Sequence, residues 1–181
     1  GIDNLQLGTA PFLVTVNAKV GEEYGQLMGT NFIFDSEGNK VVGENGRYLQ
    51  SAVTSLGSVL PDWNLGIGNE FNIYGVNIRT LVDIQHGGKF FSTTKMWGTY
   101  TGILAESAKN NIREDGVVID AMVAKYDADG NVVYNEDGTA QVTGKKETNI
   151  DAYTWTTDHY NGPAAQNVLD ADYIKLRELT V

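Results

Sequence analysis

Apolar and polar positions alternate most strictly between Asn64 and Gln85. A tight turn centred on Tyr74-Gly75 sets Leu65 opposite Ile84, Ile67 opposite Val82, Asn69 opposite Thr80, Phe71 opposite Ile78 and Ile73 opposite Val76. That face is almost wholly apolar. The other face pairs Gly66 with Asp83, Gly68 with Leu81, Glu70 with Arg79 and Asn72 with Asn77. Cross-strand pairs of these kinds each contribute roughly 0.2–1 kcal/mol, and a one-residue slip would turn every apolar side chain to the wrong face. The pattern therefore predicts a long β-hairpin with a fixed register. Tyr-Gly is not a favoured two-residue turn, which predicts a wider loop in the same register.

The same period of two runs through Pro11–Val20, where Phe12, Val14, Val16, Ala18 and Val20 share a face. This predicts a half-buried strand. Gly21, Gly25 and Gly29 read as turns and a bent strand. Asp35-Ser36-Glu37-Gly38-Asn39, Asp127-Ala128-Asp129-Gly130-Asn131 and Asn135-Glu136-Asp137-Gly138 are turn chemistry between β-prone runs. They read as separate turns, not as a repeat of fixed period. After His86-Gly87-Gly88 the alternation stops. Residues 89–109 predict one or two short helices, with Ser92 or Thr93 as caps and a break near Gly98 or Gly102. Tyr173–Val181 returns to a strand pattern and stops without a turn signal, which reads as an interrupted domain. The start at Gly1, without Met or a signal peptide, reads as a cleaved tag.

Composition narrows the classes. The 181 residues suit one domain, able to bury roughly 70% of its unfolded surface. A net charge of −10 argues against phosphate-driven nucleic-acid binding. Residues 103–172 hold 13 acidic and 5 basic side chains, so most of that charge lies in one stretch, read as an exposed, elaborated loop. There is no cysteine, which removes disulfides and thiol chemistry. No apolar run is long enough for a membrane helix. A membrane strand needs only about ten alternating residues, and the arms of the 64–85 hairpin have that length. A long hairpin of a soluble sandwich fits the same periodicity, and Asn69 and Thr80 in mid-face favour it.

Few residues suggest chemistry. His86 and His159 have no ligand neighbours at a metal-binding spacing and read as solvated loop histidines. Asp127-x-Asp129-Gly130-Asn131 resembles the start of a calcium loop. Its glycine is misplaced and Gly138 stands where the closing glutamate belongs, so it reads as a turn. The acidic pairs Glu22-Glu23 and Glu114-Asp115 are adjacent in sequence, which does not aim both carboxylates at one substrate. Nucleophile triads and phosphate loops are lacking, and nothing supports an enzyme. The aromatics Trp97, Tyr100, Tyr153, Trp155 and Tyr160 gather in the helical and acidic region. Trp97, Tyr100, Trp155 and Tyr160 are the candidate ligand contacts, since exposed rings stack on sugar faces. Ordinary packing under a loop is the commoner use of such rings. No catalytic, cofactor or metal residue is assigned.

A series of motifs in fixed order carries a family resemblance. It begins with Gly21-Glu22-x-x-Gly25-x-x-x-Gly29-Thr30, Asp35-x-x-Gly38-Asn39-x-Val41-Val42 and Leu56-Gly57-x-x-x-Pro61-Asp62-Trp63-x-x-Gly66. It continues with Asp83-Ile84-x-x-Gly87-Gly88-Lys89-Phe90-Phe91-Ser92, Gly98-x-Tyr100-x-Gly102 and Arg113-Glu114-Asp115-Gly116-Val117-Val118. It ends with Asp172-Tyr173-Ile174-Lys175-Leu176-Arg177-Glu178-Leu179. From about residue 11 onward the chain resembles the C-terminal part of SusC/RagA-type TonB-linked outer-membrane transporters of Bacteroides-like bacteria. The resemblance implies a mainly β fold of antiparallel hairpins with one or two short helices, a fragment of a large transmembrane β-barrel plus a long extracellular loop. In that frame residues 1–181 are one C-terminal barrel fragment and 64–85 is a membrane-length hairpin. Residues 86–172 are a long acidic extracellular loop, and 173–181 start the next strand. The parent would import oligosaccharide or peptide cargo with a SusD-type lipoprotein and the TonB system. The family's plug and energy-coupling residues have no counterpart here.

The alternatives are a secreted or surface carbohydrate-binding β domain without catalytic activity, and a purely structural β domain. A chain holding this hairpin alone is expected to cover its apolar face with the Phe90–Leu104 helices or by self-association.

Overall fold

A computed structural model describes residues 1–10 and 14–181. The chain is mainly β, with antiparallel sheets and three short helices. Four strands, β1 (Asn4–Ala10), β2 (Val14–Lys19), β3 (Gln26–Phe32) and β5 (Gln50–Ser58), form one sheet in that order. The short β4 (Val41–Val42) lies in the excursion between β3 and β5. The alternation foreseen over Pro11–Val20 is realised as β2 from Val14 onward; Pro11, Phe12 and Leu13 lie outside the described residues. Val14 and Leu27 are buried against Ala164.

The 64–85 alternation becomes β6 (Trp63–Ile73) and β7 (Val76–His86), paired antiparallel with Leu65 on Ile84, Glu70 on Arg79 and Ile73 on Val76. The register is the one that the period of two demands. The turn is narrower than the sequence suggests. Tyr74 and Gly75 both have positive φ, 50° and 85°, which is the two-residue type I′ geometry. The strand twist at a hairpin favours that turn strongly enough to hold a tyrosine in the left-handed region. The last strand, β12 (Tyr173–Thr180), pairs antiparallel with the other edge of β7.

Strict alternation would send Leu176 and Leu179 to opposite faces. A β-bulge between Leu176 and Glu178 absorbs one residue, so Leu176 pairs with Val82 and Leu179 with Thr80, both on the apolar face. Arg177 and Glu178 then both reach the polar face. Arg177 Nη2 sits 2.7 Å from Asp83 Oδ2, and Arg79 bridges Glu70 at 3.3 Å and Glu178 at 4.0 Å. Tyr173 donates its hydroxyl to Asp83 at 3.1 Å.

Among the described residues, the Phe90–Leu104 segment does not cover the apolar face. Leu65, Ile67, Phe71, Ile73, Ile174 and Leu176 are all exposed, Leu176 by 60%. The helix α1 (Thr93–Tyr100) packs instead on α3 (Ala152–Asn161) and on the 3-10 turn Ala164–Asn167. Ser92 caps α1 as foreseen, its Oγ accepting from Lys95 N at 3.1 Å. Gly98 lies inside that helix, and the break comes at Gly102, at φ 72°. Only four residues make α2 (Ile112–Asp115). The sequence pattern did not foresee α3.

Between His86 and Tyr173 the chain forms β8 (Lys89–Phe91), β9 (Val117–Ala124), β10 (Val142–Ile150) and β11 (Val168–Asp170) beside the helices. β9 pairs antiparallel with β10 and, through Val41 and Val42, parallel with β4. The turn motifs that read as unrelated in sequence are two copies of one unit. In residues 33–49, Val41 N donates to Ile33 O, Leu49 N to Val41 O and Ile33 N to Leu49 O, at 2.9, 3.1 and 3.2 Å. In residues 125–141, Val133, Gln141 and Lys125 repeat that closed ring on Lys125, Val133 and Gln141 at 2.9, 2.8 and 2.8 Å. Each ring joins the feet of two five-residue turns, whose glycines Gly38, Gly46, Gly130 and Gly138 all lie near φ 80°. Asp35/Asp127, Gly38/Gly130, Asn39/Asn131, Val41/Val133, Glu44/Glu136 and Gly46/Gly138 coincide. The copies meet through Ala140 N donating to Phe34 O at 2.9 Å and share a core of Val41, Ala124 and Ala140.

Candidate ligand-binding site

Helix α3 organises the aromatic residues. Its sequence holds three threonines and a weak apolar stripe, so its start depends on Asp151. The Asp151 carboxylate accepts from Thr154 N at 2.9 Å and from Thr154 Oγ1 at 2.7 Å. Those bonds hold its pKa below the usual carboxylate range. Two sides of α3 then face different neighbours.

On one side, Tyr160 stacks on Trp97 of α1, ring centroids 5.4 Å apart, and Tyr100 meets both rings at 5.6 Å. Three of the four candidate contacts are thus one mutually packed cluster, with Tyr100 at its exposed edge. On the other side, Trp155 meets His159 edge-on at 4.9 Å. Both line a cavity of about 400 Å³ shared with Phe32, Tyr48, Lys40 and Lys95. The fourth candidate therefore stands apart from the other three. Tyr153 is exposed and belongs to neither group.

The cavity is built by segments far apart in sequence. Phe32 ends β3, and Lys40 and Tyr48 flank β4 in the first turn unit. Lys95 comes from α1, and Ile119 and Ile150 from β9 and β10. Arg47 ties the turn unit to α3 by a forked ion pair with Asp158, its Nε at 2.9 Å from Oδ1. That pair neutralises the carboxylate that lines the cavity. Lys40 Nζ lies 3.8 Å from the Phe32 ring centroid. Lys95 Nζ donates to the Gln166 carbonyl at 2.8 Å. Among the described residues, no carboxylate pairs with either ammonium.

No family model matches this chain, and no curated protein matches it.

His159 departs from the solvated loop residue expected of it. It sits on α3, half-buried, with Nδ1 3.1 Å from the Trp155 carbonyl. Burial pushes its pKa down. The bond to Trp155 and the nearby Glu106 and Asp158 carboxylates oppose this, and Lys95 reinforces it. Nδ1 donates to the Trp155 carbonyl, which in the neutral form of the ring leaves Nε2 as the acceptor. His86 is exposed at the end of β7, 3.6 Å from Asp172 and 4.0 Å from Asp62.

The Asp127 motif closes on itself. Asp127 Oδ1 accepts from Asp129 N and Asn131 N, each at 2.9 Å, which makes it an aspartate turn. Asp35 makes the same bonds in the other copy, at 3.0 and 2.8 Å. Sequence reasoning missed Lys40, Tyr48, Phe32 and Lys95 as cavity residues. No local signal marks them, because they come from the end of β3, the turn unit and α1, and only the meeting of the turn unit with α1 and α3 brings them together.

Proposed function

We propose that the chain is part of a TonB-dependent outer-membrane importer of glycans or similar nutrients, working with a SusD-type surface lipoprotein. The observation that carries this reading is the three-stranded sheet β6–β7–β12. One of its faces is a largely apolar surface with its outer strands exposed, broken by the Asn69–Thr80 pair, and the other holds the Glu70, Arg79, Asp83, Arg177 and Glu178 charges. A soluble sheet buries its apolar face; a membrane barrel turns it to lipid and keeps polar groups inside. Trp63 to Ile73 spans ten steps of about 3.4 Å, roughly 26 Å in height at a tilt near 40°, close to the ~25 Å apolar band of outer-membrane barrels. Trp63 and Tyr74 stand at the two ends of that span, where such barrels carry aromatic girdles. The tight Tyr74-Gly75 turn and the long 87–172 connection leave the sheet at opposite ends, as periplasmic turns and extracellular loops do.

Fractionating cells of the source organism and probing with an antibody to this chain tests the reading. A band well above 19.7 kDa in the outer-membrane fraction is the expected result. A 19.7 kDa band confined to a soluble or secreted fraction would remove it. The second reading, a secreted carbohydrate-binding β domain, would then lead, since the aromatic-lined cavity suits it and Asn69 and Thr80 interrupt the apolar face.

A further inference from the structure

We propose that the cavity beside α3 is a binding site for an acidic saccharide, a pyranose carrying a carboxylate. It deepens the importer reading by naming a ligand class, and rests on that reading only for the route by which the ligand is used. Three observations converge. The walls present the rings of Tyr48 and Trp155, whose flat apolar faces complement the apolar face of a sugar ring, with Phe32 buried behind them beneath Lys40. The volume of about 400 Å³ lies at the lower end of small-molecule sites, which run ~300–1,000 Å³, and suits one or two sugar units.

The third observation is charge. The chain as a whole carries −10, yet this cavity holds Lys40 and Lys95 with no carboxylate partner, while Arg47 cancels Asp158. Both ammonium groups are already held in place, one over the Phe32 ring and the other by the Gln166 carbonyl. Lys40 is exposed and Lys95 half-buried, and two ammonium groups positioned at one cavity attract an anion together. The ligand needs a ring for the walls and a carboxylate for the lysines. His159 Nε2, an acceptor, has no protein partner among the described residues and is free to take a sugar hydroxyl. A second cavity of about 600 Å³, lined by Lys40 and Tyr48 with the Asp120–Lys145 pair, adjoins the first.

The test titrates the full chain with sodium glucuronate, glucose and sodium acetate by calorimetry, with tryptophan fluorescence in parallel. Saturable glucuronate binding at least tenfold tighter than either control is expected. Lys40→Gln and Lys95→Gln should each weaken it about tenfold, the loss of one charge-assisted contact. Lys109→Gln, outside the cavity, should leave it unchanged. Trp155→Phe should remove most of the fluorescence response and keep measurable binding. Near-UV circular dichroism identifies any variant that fails to fold. Equal binding of glucose and glucuronate, acetate binding as tight as glucuronate, or no effect of either lysine substitution in a folded protein would each overturn the assignment. Glucuronate binding by a chain found only in a soluble fraction would uphold the site while removing the importer reading, so the two failures are distinguishable.

Discussion

Placing an arginine at Thr80 separates a lipid-facing sheet from a water-facing one. Thr80 lies on the central strand β7, paired with Asn69 on one side and Leu179 on the other. Counted along the apolar face, it is within one residue of the midpoint between Trp63 and Ile73. In a barrel wall that is the bilayer midplane, where an outward Arg costs roughly 2–4 kcal/mol. The folded population would fall roughly 30- to 700-fold relative to the unfolded one. In water the same side chain extends from an open sheet face, and the change should stay within about 0.5 kcal/mol. Asn72→Arg is the control, because Asn72 pairs with Asn77 on the opposite, polar face.

Both substitutions would be made at the chromosomal locus and the outer-membrane protein quantified by immunoblot. The 181-residue chain would be unfolded with urea in buffer alongside. Thr80→Arg is expected to deplete the outer-membrane band while leaving the urea midpoint in place, with Asn72→Arg harmless in both. Unchanged outer-membrane levels with Thr80→Arg would refute the lipid-facing assignment. A shifted midpoint in buffer would show that the face is packed against protein.

Replacing Tyr74, held at φ 50° and fully exposed, by Asn should raise stability in buffer by about 1 kcal/mol, read as a higher melting temperature; a lower one would contradict the type I′ turn. Gly116 has φ 77° and ψ −162°, and an added Cβ would collide with the Ile150 carbonyl. Gly116→Ala should therefore cost at least ~2 kcal/mol, whereas Gly130→Ala, with open space around it, should cost less in the same denaturant titration. Burial alone would raise the Asp35 carboxyl pKa, but bonds from the Asn39 side chain and the Asn39, Glu37 and Gly38 N–H groups outweigh it and hold it below the usual carboxylate range. A depressed folded pKa gives stability that is present above the unfolded value and lost as pH falls below it. Wild type should thus lose melting temperature faster than Asp35→Asn between pH 5 and 2, and parallel curves would count against the assignment.

The sequence by itself determined the β6–β7 hairpin and its register, because a period of two with one apolar face is local information and any slip would reverse it. It determined the aspartate-glycine turns and narrowed the α1 cap to Ser92 or Thr93 for the same reason, since each is decided within five residues. Tertiary structure decided the rest. The β12 bulge breaks the alternation of Tyr173–Val181, and only pairing with Val82 and Thr80 shows which residue is the extra one. α3 has little helix propensity of its own and exists through Asp151 and its packing on α1. The two turn units meet through Val41, Ala124 and Ala140, which have no common period in sequence. The cavity is the furthest from sequence of all. Phe32 and Lys40, Lys95, and Trp155 become neighbours only when three separate segments pack, and contacts across such separations leave no trace in local hydrophobic patterning.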